Sequence, residues 1–149
     1  MNKIKKILII DDEENIRSAL KRMLRASMPS VEVVETGNSE HSLAIVKKCR
    51  PDLILLDVLM PKVNGLTLLK ALKKSENSET RKIPVIMISG VGNREVNIKA
   101  KKMGAVDYVT KPFNYKVFLL KIRKYMKINQ KSFIKNGEIS KPAEDSMKS

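Results

Sequence analysis

Asp11-Asp12, Asp57, Ser89 and Lys111 are the residues of this 149-residue chain whose types could do chemistry together. Each closes an expected strand: residues 7–10 precede Asp11, 53–56 precede Asp57, 83–88 precede Ser89, and 106–110 precede Lys111. Three carboxylates in close quarters repel one another, so such a cluster is costly unless positive charge offsets it. A hard divalent cation does so, and Mg2+ prefers few carboxylates together with water and phosphate oxygens. Lys111 would supply a second positive charge, suited to a transferring phosphoryl group. Asp57 would then act as the nucleophile, since a carboxylate can form an aspartyl phosphate. Ser89 can donate a hydrogen bond to a phosphoryl oxygen.

Each residue also has a plainer reading. Asp11-Asp12 could be acids favouring the positive end of a helix dipole, with Asp12 capping its first turn. Asp57 could be a loop acid, Ser89 a turn residue, Lys111 a solvated lysine, and Tyr108 an ordinary strand aromatic. Their joint position at strand ends favours a shared site. A phosphatase or other phosphotransferase with an Asp nucleophile is a further reading, but its first-strand Asp-x-Asp pattern is absent, because here the pair is adjacent.

The elements that must position these residues alternate five times. Strands are expected at 3–10, 31–35, 53–56, 83–88 and 106–110, with 53–56 central because it is wholly apolar. Helices are expected at 14–27, 40–49, 65–74, 94–103 and 114–128. Ile16, Leu20, Met23 and Leu24 share the inner face of the first, and Leu43, Ile45 and Val46 that of the second. Val117, Leu120 and Lys124 mark the turns of the last, with Phe113, Phe118 and Ile122 adding apolar bulk. Residues 75–82 read as a polar, moving loop. This alternation implies an α/β fold, a parallel sheet with helices on both faces. Right-handed crossovers make the flavodoxin-like, doubly wound order 2-1-3-4-5 the simplest fit. Ligand sites in such sheets lie at the carboxyl ends of the strands, where the order reverses. The expected domain spans 1–128, and 129–149 reads as a basic, polar tail, disordered or weakly structured.

Composition is that of an ordinary globular chain, 42% hydrophobic and 31% charged, with no Trp, so the core must be aliphatic. No apolar run is long enough for a membrane-spanning helix, and four acids at 11–14 stop the first run, unlike a signal peptide. A cytoplasmic protein without membrane insertion is expected. One cysteine, Cys49, can form neither an internal disulfide nor a structural zinc site. The net charge of +14 is spread, with +9 over residues 1–120 (22 basic, 13 acidic) and +5 over 121–149 (8 basic, 3 acidic). It is either a solvated surface or a patch for nucleic acid, an anionic membrane surface or an acidic partner. Arg94, Lys99, Lys101 and Lys102, with Lys116, Lys121, Arg123, Lys124 and Lys127, could form a basic face. No helix-turn-helix unit is evident after residue 128, and only Tyr115 and Tyr125 could stack there.

Together, Asp11-Asp12, Asp57 followed by Met60-Pro61 and Gly65, Ser89-Gly90, Tyr108 and Lys111-Pro112 resemble the receiver domain of two-component response regulators, close in size to stand-alone chemotaxis and sporulation regulators. The likeness spans residues 4–128 with every landmark in order. It implies that Asp57 accepts a phosphoryl group from a phosphohistidine. Asp12, Asp57 and the Leu59 carbonyl would bind Mg2+ directly and Asp11 through water, while Ser89 and Lys111 hold the phosphoryl oxygens. A cis Lys111-Pro112 bond is implied. So is a switch in which Ser89 moves inward and Tyr108 follows, reshaping the surface of the fourth helix, fifth strand and fifth helix (α4-β5-α5 of the family) for a protein target. Such a domain catalyses its own phosphorylation and dephosphorylation but turns over no external substrate. Implied partners are a sensor histidine kinase or histidine phosphotransfer protein and a downstream target, the domain being a monomer or a phosphorylation-dependent dimer. The single histidine, His41, is expected on a helix surface, so the phosphodonor is expected on another molecule. A nucleic-acid-binding chain, or the receiver of a transcriptional regulator cut at its linker, is the alternative.

Two departures matter. Asn64 stands where the family has Asp before the loop glycine, a peripheral change. Leu59 and Val91, each two residues past a site residue, are apolar at positions that tune self-dephosphorylation in the family. Apolar side chains there orient an attacking water poorly, so a long-lived phosphorylated form is expected.

Overall fold

The computed structural model describes residues 4–90, 92–128, 133–135 and 138–140. Strands β1 (Lys6–Ile10), β2 (Glu32–Thr36), β3 (Leu53–Asp57), β4 (Val85–Ser89) and β5 (Asp107–Thr110) form one parallel sheet in the order β2-β1-β3-β4-β5. The helices are α1 (Glu14–Ser27), α2 (Ser42–Cys49), α3 (Gly65–Lys73), α4 (Ser78–Lys82), α5 (Arg94–Lys102) and α6 (Tyr115–Met126), with a 3-10 turn at Ser39–His41. This is the flavodoxin-like order expected from the strand–helix alternation.

Strand periodicity divides the core. Ile7, Ile9, Leu53, Leu55, Ile86 and Ile88 pack with Leu20 and Leu24 of α1 and with Phe118, Ile122 and Met126 of α6. The alternate residues Leu8, Ile10, Ile54, Leu56, Val85 and Met87 pack with Val46 of α2, Leu68, Leu69 and Leu72 of α3, and Ala100 of α5. Side chains of period two thus feed two layers, and β1, β3 and β4 are apolar because both faces are covered.

Three details differ from the sequence-based expectation. Residues 78–82 form the helix α4 instead of a loop. The Asn77 side chain accepts from the Glu79 and Thr80 amides at 2.9 and 3.4 Å, and Thr80 is buried beneath the turn. Lys73 closes the other end, its Nζ donating to the carbonyls of Arg81 at 3.0 Å and Ile83 at 2.9 Å; burial pushes this ammonium's pKa down. The helices expected fourth and fifth are therefore α5 and α6. Second, the buried stripe of α6 is Phe118, Ile122 and Met126, one turn apart, whereas Val117 and Leu120 are exposed. Third, Asp12 does not cap α1. The Glu13 amide donates instead to Asp11 Oδ1, at 2.9 Å.

Asparagine caps recur. Asn64 accepts from the Leu66 amide at 2.8 Å and Asn114 from the Val117 amide at 3.2 Å, so the asparagine in place of the family's aspartate still satisfies an otherwise orphaned amide of α3. The tail expected at 129–149 lies largely outside the described residues; within it, β6 (Phe133–Lys135) and β7 (Glu138–Ser140) pair antiparallel. Among the described residues no helix is long and apolar enough to cross a membrane.

Candidate functional site

The order of the sheet reverses between β1 and β3, and both strands end in acid. Asp11 follows β1 and is wholly buried; Asp57 ends β3 and is 3% exposed. One carboxylate oxygen from each of Asp11, Asp12 and Asp57 lies within 4.8 Å of the others. Lys111 comes in from the end of β5, its ammonium 3.6 Å from Asp57 Oδ1 and 3.8 Å from Asp11 Oδ2. The Lys111-Pro112 peptide is cis. The Lys111 amide donates to the Ser89 carbonyl at 2.7 Å, holding the ends of β4 and β5 together behind the acids.

The cluster is under electrostatic pressure. Burial, then the charge of Asp11, push the Asp57 carboxyl up to about 7, against the pull of Lys111 and a hydrogen bond from the Leu59 amide. Burial likewise raises Asp11, against the Glu13 amide and Lys111. Two oxygens, Asp11 Oδ2 and Asp12 Oδ1, are buried without a hydrogen-bond partner. Asp11 Oδ2 has only the Lys111 ammonium at 3.8 Å, and buried carboxylate oxygens without hydrogen bonds are costly. Hard oxygen donors, clustered and unsatisfied, fit a hard divalent cation of the Mg2+ class.

Arg17 props the acidic loop from outside. Its Nη1 donates to the Asp11 carbonyl at 2.8 Å, and its Nε lies 3.2 Å from Glu35 Oε1, where Lys21 joins at 3.1 Å. Burial alone would raise Glu35, but the hydrogen bonds and charges of these two cations hold it below the usual carboxylate range. On the other side of the site, the Val58 amide donates to the Ile88 carbonyl at 2.9 Å and the Gly65 amide to the Val58 carbonyl at 2.8 Å, so the loop after Asp57 folds back on the strand that carries it. The Leu59 side chain is 65% exposed at the mouth of the site. Val91, its expected counterpart, lies outside the described residues.

Ser89 ends β4 and is buried, and its hydroxyl donates to Asn97 Oδ1 of α5 at 2.8 Å. Tyr108, half-buried on β5, packs against the α3 and α5 side of the core; the Lys121 ammonium sits 5.5 Å from its ring centroid and donates to its carbonyl at 2.8 Å. Lys121 also pairs with Asp107 at 3.2 Å, and Arg123 donates to the Ser27 carbonyl at 3.4 Å. Those two cations of the expected basic face are thus already engaged, while Arg94, Lys99, Lys101, Lys102, Lys116, Lys124 and Lys127 are exposed.

The structure therefore brings Asp11, Asp12, Asp57 and Lys111 together, with Ser89 at the end of the neighbouring strand. Arg17 and Asn97 were missed. Asn97 had a signal: it falls in step with Val96, Ala100 and Met103 on the inner face of its helix, where a lone amide needs a partner.

Comparison with known proteins agrees with this geometry. Residues 7–123 match the family described as response regulator receiver domain. The chain is 36% identical over 119 residues to the phosphate regulon transcriptional regulatory protein PhoB of Pseudomonas aeruginosa, covering 80% of this chain and 50% of PhoB. It is 37% identical over 118 residues to the transcriptional regulatory protein CpxR of Escherichia coli, covering 79% and 47%. The chain spans about half the length of the curated relatives it matches. Among solved structures, the chemotaxis protein CheY4 of Vibrio cholerae superposes with a TM-score of 0.73 at 28% identity, over 83% of this chain and 99% of that one.

Proposed function

The chain belongs to the response regulator receiver domain family, and from that premise we propose that it is a phosphorylation-operated switch with Asp57 as the acceptor. The supporting observation is the set of three convergent carboxylates beside the Lys111 ammonium, two of their oxygens buried without a hydrogen bond. An Asp57 carboxylate oxygen forms a bond to phosphorus as the P–N bond of a donor phosphohistidine breaks, the electron pair leaving on the imidazole nitrogen. Lys111 neutralises charge gathering on the phosphoryl oxygens, and Ser89 donates a hydrogen bond to one of them. Asp12, Asp57 and the Leu59 carbonyl would hold Mg2+ directly and Asp11 through water, and the bound ion would offset both the carboxylate cluster and the incoming phosphoryl charge. The domain promotes its own phosphorylation and dephosphorylation and processes no other substrate.

Upstream, the donor is a sensor histidine kinase or a histidine phosphotransfer protein in the cytoplasm. Downstream, Ser89 and Tyr108 carry the change to α5, β5 and α6. There Ile98, Tyr115, Val117 and Leu120 are exposed apolar side chains set among lysines, a surface suited to a protein target or to a second copy of the domain. A second reading, the receiver portion of a transcriptional regulator, is favoured by the names and the double length of the curated relatives.

Incubation with acetyl phosphate and Mg2+, followed by intact-mass measurement, tests the acceptor. The expected result is a gain of one phosphoryl group that disappears on EDTA treatment beforehand and in Asp57→Asn. A gain that survives in Asp57→Asn, or none in the unaltered chain, overturns the assignment.

A further inference from the structure

We propose that Asn97 is a latch on the switch hydroxyl: its buried amide holds Ser89 away from the phosphoryl site, and releasing it sets how readily the domain switches. The inference rests on the reading of Ser89 as a phosphoryl ligand. Among the described residues the bond from Ser89 Oγ to Asn97 Oδ1, at 2.8 Å, is the one side-chain hydrogen bond lying wholly in the interior. Ser89 is 1% exposed and Asn97 3%.

A serine hydroxyl has one proton to give. It can be given to the amide oxygen of Asn97 or to a phosphoryl oxygen, not to both. Phosphoryl binding by Ser89 therefore strips Asn97 of the single hydrogen bond its side chain makes among the described residues. A buried amide oxygen left bare is unfavourable, so α5 must shift until that oxygen finds water or another donor.

A second, independent observation concerns how α5 begins; α1 and α2 also start without a side-chain cap, but neither bears on Ser89. The first turns of α3, α4 and α6 are each closed by an asparagine side chain at the N-cap. Asn93, at the same position of α5, makes no such bond. It follows Gly92 at φ +85°, a conformation that favours glycine. The start of α5 is thus loosely finished, and the Ser89–Asn97 bond ties its buried face to the end of β4. Phosphorylation would cut that tie, which turns a hydrogen-bond exchange at the site into movement of the surface carrying Ile98.

The test is a titration of beryllofluoride with Mg2+, followed by amide NMR of α5, in the unaltered protein, Asn97→Leu, Asn97→Ala, Ser89→Ala and the doubly substituted chains. Removing the competing acceptor is expected to tighten beryllofluoride binding by about tenfold in both Asn97 variants. It should also move free-state α5 resonances part of the way toward their bound positions. In the Ser89→Ala background the Asn97 substitutions should change the affinity by less than about twofold. Affinity unchanged or weakened in both Asn97 variants, or a gain that persists without Ser89, overturns the latch. Ser89→Ala binding as tightly as the unaltered chain would instead overturn the underlying reading of Ser89.

Discussion

Gly65 is packed directly behind Asp57, so close that a methyl group on its Cα would overlap the Asp57 carbonyl oxygen and come within 2.9 Å of Val58 Cα. Both neighbours are backbone, and neither can swing aside as the end of a flexible side chain would. Gly65→Ala is expected to destabilise the domain by about 1–3 kcal/mol through overpacking and to push the acceptor out of line with Lys111. Chemical denaturation and acetyl phosphate labelling check the two effects. Full labelling with unchanged stability would show that the loop after Asp57 tolerates rebuilding.

The acidic cluster sets the pH dependence of the metal-free protein. An aspartate in the unfolded chain titrates near about 4, whereas burial and Asp11 bring Asp57 up to about 7 in the fold. Between those values the folded state binds more protons than the unfolded state, so stability is greatest below the lower value and falls as pH rises through the upper one. Asp11 is raised as well and acts in the same direction. Without divalent cation, urea denaturation should give a less stable protein at pH 8 than at pH 5, by about 2–4 kcal/mol from these groups. Asp57→Asn should flatten that slope and be the more stable protein at pH 8. An unchanged slope in Asp57→Asn would mean that the carboxylate is not under pressure.

Asp107 acts in the opposite sense. Burial by itself would raise it, but the Tyr108 amide at 2.8 Å, Lys121 at 3.2 Å and the Tyr125 hydroxyl at 3.1 Å together hold it below its ordinary value. Its contribution to stability is present above the unfolded value and lost as pH falls through the folded one. Lys121→Met should therefore cost about 1–2 kcal/mol at pH 7, and that cost should shrink as pH falls below the unfolded value and through the lower folded one, once the carboxyl is protonated in both states. A cost that is equal at both pH values would assign the loss to packing of the lysine stem over Tyr108.

The sheet and its acidic edge were legible because β1, β3 and β4 are runs of aliphatic residues, each ended by a residue that makes no sense as core. Asp11, Asp57, Ser89 and Lys111 interrupt the pattern at the same relative point, and parallel strands bring equal points together. Elements resting on side-chain bonding were harder to read. A five-residue polar helix such as Ser78–Lys82 carries no hydrophobic period; its signals are Asn77 at the cap and Lys73 reaching back from α3. On α6, two apolar stripes compete, Val117 with Leu120 and Phe118 with Ile122, and only docking on the sheet selects the second. Asn97 was hidden for another reason. In a helix crowded with lysines, an amide reads as solvent-facing until its turn position is compared with Ala100.

Leu59 is the described residue expected to set how long a phosphorylated form lasts. Leu59, two residues past Asp57, is 65% exposed, and its apolar side chain offers no hydrogen bond to a water approaching the phosphorus. Hydrolysis of an acyl phosphate needs that water held and aligned, and a polar side chain can do both. Leu59→Asn is thus expected to shorten the lifetime of the phosphorylated protein by about tenfold or more. Because Leu59 is exposed, the exchange should leave stability within about 0.5 kcal/mol of the original. Purified phosphoprotein, freed of donor and followed by phosphate release with Mg2+ present, gives the rate directly. An unaltered lifetime in Leu59→Asn would mean that the water is positioned elsewhere, and decay within seconds in the unaltered chain would remove the expected long-lived signal.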